Sequence, residues 1–125
     1  MNQNAFIGHS GEIEVARYLQ KQGYAVKAIN HRCRGGEIDV IVENESVRAF
    51  VEVKTRSQLY FDITEVVTPA KQRKIIVASY HYNAHAGWPE DKSIRFDVAI
   101  VHSGPLGMEV SYYPHAFTPN AEWFS

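Results

Sequence analysis

The sequence predicts an α/β fold in which a mixed β-sheet is flanked by helices. One stretch carries apolar side chains at helical spacing, another begins with a Thr-Pro helix start, and five shorter ones are typical of strands. Their order, helix, three strands, helix, two strands, packs as a sheet with helices on its faces. With 125 residues, 45% hydrophobic and 22% charged, the chain is expected to form one domain over residues 1–125.

The first helix is predicted over residues 10–22. Its apolar residues, such as Val15 and Leu19, lie on one face, and charged residues lie on the other. Gly23 follows as the stop signal.

Three strands are predicted next, over residues 24–32, 38–43 and 47–55. The short polar segment 44–46 fits a hairpin turn between the second and third of them. Short connections of this kind join neighbouring strands, so we expect an antiparallel meander.

The second helix is predicted over residues 69–85, with Thr68 as its N-cap and Pro69 at its first position. Two further strands follow, over residues 94–102 and 108–113.

Charged residues interrupt two of the apolar strands. Side chains alternate between the faces of a strand, so Glu37 and Asp39 share one face of their strand, and Glu52 and Lys54 share one face of the next. Glu12 projects from the inward stripe of the first helix. Carboxylates that converge in one cleft usually need a cation, most simply Mg²⁺ or Mn²⁺, because these ions prefer oxygen ligands.

The same alternation also fits an edge hairpin with one solvated face. In that interpretation Glu52 forms only a surface ion pair with Lys54 or Arg56, which contributes little to stability. Spacing alone leaves both interpretations open.

Seven short motifs resemble, in order and spacing, those of the bacterial YraN family. They are "GE" at 11–12, "ARYL" at 16–19, "GY" at 23–24, "RCRGGEIDVI" at 32–41, "FVEVKTR" at 50–56, "VTPAKQRK" at 67–74 and "RFDV" at 95–98. YraN proteins are placed with the restriction-endonuclease-like, Holliday-junction-resolvase-like nucleases. The resemblance therefore implies a restriction-endonuclease-like core with a PD-(D/E)xK type of site.

Carried onto this chain, the resemblance implies that Asp39 and Glu52 hold the metal ion, with the backbone carbonyl of Val53 as a third ligand. Lys54 would orient or deprotonate the attacking water and offset charge on the phosphoryl oxygens. The expected activity is metal-dependent hydrolysis of DNA phosphodiester bonds, and branched or otherwise structured DNA stays open as the substrate.

Other positions match the pattern less closely. Glu12 is where this branch supplies an acidic residue from its first helix, and Gln72 is where related nucleases place a glutamine. Gln72 as an ordinary solvated helix residue stays equally open. Glu65 falls at a position that the family tends to keep acidic, whereas Ala70 replaces a commonly basic residue.

DNA contacts are expected from a local basic patch, because the formal net charge is only −1. The candidates bracket the acidic positions in sequence and are Arg32, Arg34, Arg56, Lys71, Arg73 and Lys74. Alternatively, these residues belong to an ordinary solvated helix face and to a charged loop, and do not contact DNA. A catalytically silent nucleic-acid-binding or protein-interaction module therefore stays open as an alternative function.

The chain is expected to be cytoplasmic and without a membrane segment. It has one cysteine, Cys33, no signal-peptide pattern, and no apolar run near the ~18 residues that span a bilayer. Cutting a junction symmetrically normally requires a two-fold dimer, which leaves a homodimer open.

Two residue pairs are predicted to be structural. His81 and His85 are one helical turn apart, but no third metal ligand is evident, so surface or packing histidines are expected. Arg95 and Asp97 are expected to form an ion pair that anchors their strand.

Overall fold

The order of helices and strands is the predicted one. The computed structural model describes residues 3–56 and 66–119, with side chains from residue 11 onward. Its elements are α1 (Gln3–Lys21), β1 (Ala25–Cys33), β2 (Gly36–Glu43), β3 (Val47–Arg56), α2 (Pro69–Ala86), β4 (Ser93–Gly104) and β5 (Gly107–Phe117).

The strands form one mixed sheet in the order β1-β2-β3-β4-β5. The first three strands pair antiparallel, as the predicted meander requires, and β4 pairs antiparallel with β5. Strand β4 runs parallel to β3, and a parallel pair needs a crossover connection, which contains α2.

The two helices cover opposite faces of the sheet. On one face Leu19 of α1 packs with Val40 and Val51, and on the other Ile76 of α2 packs with a buried cluster that includes Phe50. Alternation along β2 and β3 sends successive side chains into the two clusters, so both faces of the central strands are apolar.

The predicted limits of several elements are corrected. Helix α1 begins at Gln3 rather than at residue 10, because Gly8 and Gly11 weaken the helical pattern without ending the helix. Strand β5 continues to Phe117 past Pro114, which is tolerated because β5 is an edge strand.

The turn after β1 is also shorter than expected. Arg32 and Cys33 belong to β1, and the chain reverses at Gly35, whose φ of 94° favours glycine. At Gly36 a Cβ atom would collide with the carbonyl oxygen of Lys74, so the missing side chain lets α2 lie directly on β2.

Within residues 3–56 and 66–119, no helix is both long and apolar enough to cross a membrane.

Candidate active site

A cleft opens where β2 and β3 separate. Their ladder runs from Glu43↔Arg48 to Val40↔Val51, and the cleft begins at the next residue of each strand, Asp39 and Glu52. The first helix, both strands and the first turns of α2 contribute its walls. The polar residues that line it are Glu12, Glu37, Asp39, Glu52, Lys54, Thr55, Thr68, Lys71 and Lys74.

Where the β2–β3 ladder ends, the side chain of Asp39 forms a hydrogen bond with the backbone of β3. Its Oδ2 atom accepts a hydrogen bond from the N–H of Val53 at 2.8 Å. Burial raises the pKa of Asp39 to about 8, with further contributions from the charge of Glu52, from that of Glu12 and from a hydrogen bond shared with Glu52. The Val53 bond opposes this shift. Asp39 is thus a carboxyl group whose pKa lies far above its usual range.

Glu52 is 6% exposed and meets two ammonium groups through one oxygen. Its Oε1 atom lies 3.0 Å from Nζ of Lys71 and 3.7 Å from Nζ of Lys54. Burial lowers the pKa of Lys54, and its hydrogen bond with Lys71 lowers it further, against the charge of Glu52. A lysine with a lowered pKa beside a carboxylate is suited to proton transfer.

Glu12 contributes the third carboxylate from α1. Its Oε2 atom is buried, and its negative charge reaches Asp39 strongly enough to raise that pKa. Three carboxylates and the backbone of Val53 provide oxygen donors of the kind that Mg²⁺ and Mn²⁺ require.

The oxygen donors of the cleft therefore suit a hard divalent ion. Their side chains, however, are not arranged around one point as metal ligands would be. Over residues 3–56 and 66–119, no three histidine, cysteine or carboxylate side chains are arranged around a common point as a metal-binding group. The two lysines meet the charge of Glu52 instead.

Gln72 stands next to the site rather than in it. Its amide Nε2 donates to the carbonyl oxygen of Val67 at 3.0 Å, which ties α2 to the segment that leads into it. Glu65 lies outside the described residues.

Only part of the predicted basic patch gathers at the cleft. Lys71 and Lys74 line it, and Lys74 also borders a neighbouring pocket together with Arg32. Arg32 lies 3.5 Å from the exposed carboxylate of Glu37, which lines both pockets. A basic path thus leads from the acidic cleft towards the turn after β1.

The remaining three basic candidates lie on the surface without lining the cleft. Arg34 is exposed in the turn after β1, Arg73 is exposed on α2, and Arg56 donates to the carbonyl oxygen of Thr55 at 3.0 Å at the end of β3.

Sequence reasoning placed Lys71 on a DNA-gripping surface and missed its contact with Glu52. A usable signal was present: Lys71 stands three residues after the N-cap Thr68, within the first turn of α2. The first turn of a helix that follows a site strand is well placed to point back into the site.

Histidine packing was also incompletely predicted. His81 and His85 have ring centroids 4.5 Å apart, and His31 of β1 joins them, with its Nε2 atom 3.1 Å from Nδ1 of His81. The Arg95–Asp97 pair is confirmed, with Nη2 of Arg95 2.9 Å from Oδ2 of Asp97.

Comparisons with known proteins agree on one family. The model described as "Uncharacterised protein family UPF0102" matches residues 11–101. A UPF0102 protein of Treponema pallidum (strain Nichols) is 36% identical over 118 residues, covering 91% of this chain and 94% of the relative. Those of Nitrosococcus oceani and Symbiobacterium thermophilum are 38% and 43% identical, over 88% and 81% of this chain and 90% and 86% of their own lengths.

Proposed function

Because the chain belongs to the UPF0102 family, as its YraN-like motifs predict, we propose that it is a metal-dependent endonuclease that hydrolyses phosphodiester bonds in DNA. The observation that carries this proposal is the meeting of Asp39, Glu52 and Lys54 in one cleft, with Lys71 beside them. Family membership adds no activity by itself, since fold and function are separable.

A purely structural role explains this cleft poorly. Burying Asp39 beside Glu52 raises its pKa by a large amount, so the arrangement destabilises the folded protein at neutral pH. Groups kept in an unfavourable electrostatic environment are typical of functional sites. A cation held by Asp39, Glu52 and Glu12 would relieve the repulsion among them.

Each residue of the cleft has a role in this proposal. Bound Mg²⁺ or Mn²⁺ would supply Lewis-acid polarisation of the scissile phosphate and a more acidic water. Lys54, whose pKa is lowered by burial and by its hydrogen bond with Lys71, would orient the attacking water and help to accept its proton. Lys74 and Arg32 bind flanking phosphates along the basic path.

The test is a cleavage assay on purified protein with Mg²⁺ or Mn²⁺ and linear, single-stranded, flapped and four-way DNA. Lys54→Ala is expected to abolish cleavage while metal and DNA affinity persist, and Asp39→Ala or Glu52→Ala should lose metal binding and cleavage together. Lys27→Ala is the matched control, because Lys27 is exposed and lies 4.0 Å from Glu43, away from the cleft.

A catalytically silent module would give a different pattern. Wild-type protein would then cut no DNA form with either metal, and Asp39→Ala would stabilise it without changing DNA affinity. That pair of results would replace the endonuclease proposal with the alternative. The DNA forms that are cut would also show whether branched substrates are preferred, and sedimentation with DNA would show whether a dimer acts.

A further inference from the structure

Lys71 is held at the mouth of the cleft by the start of α2. Its backbone N–H donates to Oγ1 of Thr68 at 3.3 Å, and Pro69 fixes the first helical position. The base of the side chain is therefore fixed, while the side chain as a whole is 35% exposed. Its ammonium group reaches the buried Glu52 from a position open to solvent.

The contact between Lys71 and Glu52 is the closer of two. Nζ of Lys71 lies 3.0 Å from Oε1 of Glu52, whereas Nζ of Lys54 lies 3.7 Å from the same oxygen. Lys54 belongs to β3 and is in register with Ile100 of β4, so its backbone is fixed within the sheet. Either ammonium group can move by side-chain rotation, and Lys71 is the more exposed of the two, with 35% of its side chain exposed against 28% for Lys54.

We propose that Lys71 competes with the metal ion for Glu52 and, once displaced, binds a phosphate of the substrate. This inference rests on the proposed function and adds a role for a residue outside the E-x-K triplet. Oε1 of Glu52 already contacts the ammonium group of Lys71, so a metal ion that approaches the same oxygen is repelled by a like charge at close range in a poorly solvated cleft. In this proposal, metal binding moves Lys71 away from Glu52.

A freed ammonium group at the mouth of the cleft is placed for a phosphate. Lys71 and Lys74 are one helical turn apart on α2, and both line the cleft. Lysine binds phosphate as a point charge that adjusts through a flexible stem. Displaced Lys71 thus extends the basic path of Lys74 and Arg32 to the acidic end of the cleft.

The exchange couples the two ligands. Metal binding frees Lys71 to bind phosphate. Phosphate binding in turn moves Lys71 away from Glu52, which makes Glu52 available to the metal ion. Coupling free energies between two ligands are reciprocal, so each should tighten the binding of the other. An ordinary structural ion pair between Lys71 and Glu52 makes no such prediction.

The test measures Mn²⁺ affinity of the full chain by electron paramagnetic resonance of free Mn²⁺, in wild type, Lys71→Met and Lys74→Met. Without DNA, Lys71→Met should bind Mn²⁺ about five- to tenfold more tightly than wild type, because the competing charge is gone. Lys74→Met removes a charge from the same cleft without removing a group that contacts Glu52. It should change the Mn²⁺ affinity by less than about twofold.

A second arm adds a phosphorothioate-linked DNA duplex that resists hydrolysis. The duplex should tighten Mn²⁺ binding to wild type more than to Lys71→Met, since part of the coupling passes through Lys71.

The outcomes separate this inference from the proposed function. Equal Mn²⁺ affinities of wild type and Lys71→Met, or equal effects of Lys71→Met and Lys74→Met, overturn the role of Lys71 and leave the metal site standing. Absence of Mn²⁺ binding in every protein overturns both proposals. Binding by Lys71→Met alone supports the competition.

Discussion

Two aspartates in this sheet, one fully buried and the other partly buried, have opposite surroundings. Asp97 of β4 is 0% exposed and accepts hydrogen bonds from Nε and Nη2 of Arg95, each at 2.9 Å, from the hydroxyl of Tyr112 and from the N–H of His115. Asp39 of β2 accepts one from Val53, shares one with Glu52, and lies near the carboxylate of Glu12 and the ammonium groups of Lys54 and Lys71.

The difference shows how a structural carboxylate is distinguished from a functional one. At Asp97 a guanidinium group and fixed donors match the charge, and burial and that charge raise the pKa of Tyr112, which therefore keeps the proton that it donates. At Asp39 burial and the neighbouring carboxylates raise the pKa to about 8. A carboxylate that the fold matches with fixed donors serves the fold, and one whose ionised form the fold disfavours is suited to bind a cation.

A large effect is expected at Asp97. Asp97→Ala should lower the free energy of unfolding by about 3–5 kcal/mol, because it leaves the charge of Arg95 buried and unmatched. Urea denaturation of this variant and of Asp91→Ala, an exposed control, measures the difference. A loss under about 1 kcal/mol would show that the network around Asp97 contributes little.

The next effect is a pH dependence at Asp39. Its pKa is about 8 in the folded protein and near 3.8 in an unfolded chain, so between these values the folded protein binds more protons. Stability of the protein without added metal should therefore fall as pH rises from about 4 to about 8, by at most about 1.4 kcal/mol per pH unit. Asp39→Asn keeps an acceptor for Val53 and should remove this part of the slope.

Urea denaturation in the presence of a chelator, from pH 4 to pH 8.5, compares wild type with Asp39→Asn. The variant should be the more stable protein at pH 8, and added Mn²⁺ should stabilise wild type alone by mass action. Parallel profiles for the two proteins would mean that Asp39 is ionised at neutral pH, and the contrast with Asp97 would disappear.

The order of elements could be predicted because its signals are local. Periodicity, the turn at residues 44–46 and the Thr68-Pro69 start each depend on a few neighbouring residues. That Asp39 and Glu52 approach one another could also be predicted, since a short turn fixes which positions of the two strands lie opposite. The start of α1 was wrong because glycines within a helix resemble a helix boundary.

Contacts between distant segments could not be predicted in the same way. The Thr68 cap predicts that Lys71 lies in the first turn of α2, but its approach to Glu52 also depends on how α2 is oriented on the sheet, which the local pattern does not set. For the same reason the contacts of Arg48 were not predicted: it is buried and donates to Glu43 and, across the fold, to Asn83 of α2. The contact of the third histidine, His31, with His81 was not predicted either.

The smallest effect concerns Gln72, where the resemblance and the structure suggest different roles. In the structure its amide donates to the carbonyl oxygen of Val67 at 3.0 Å and thereby holds the buried entry to α2. We expect Gln72→Ala to cost about 0.5–1.5 kcal/mol of unfolding free energy, the usual value of one hydrogen bond, and to leave Mn²⁺ affinity unchanged. Arg73→Ala, an exposed neighbour, is the control. A loss of cleavage at unchanged stability would instead place Gln72 with Asp39, among the residues kept for the substrate rather than for the fold.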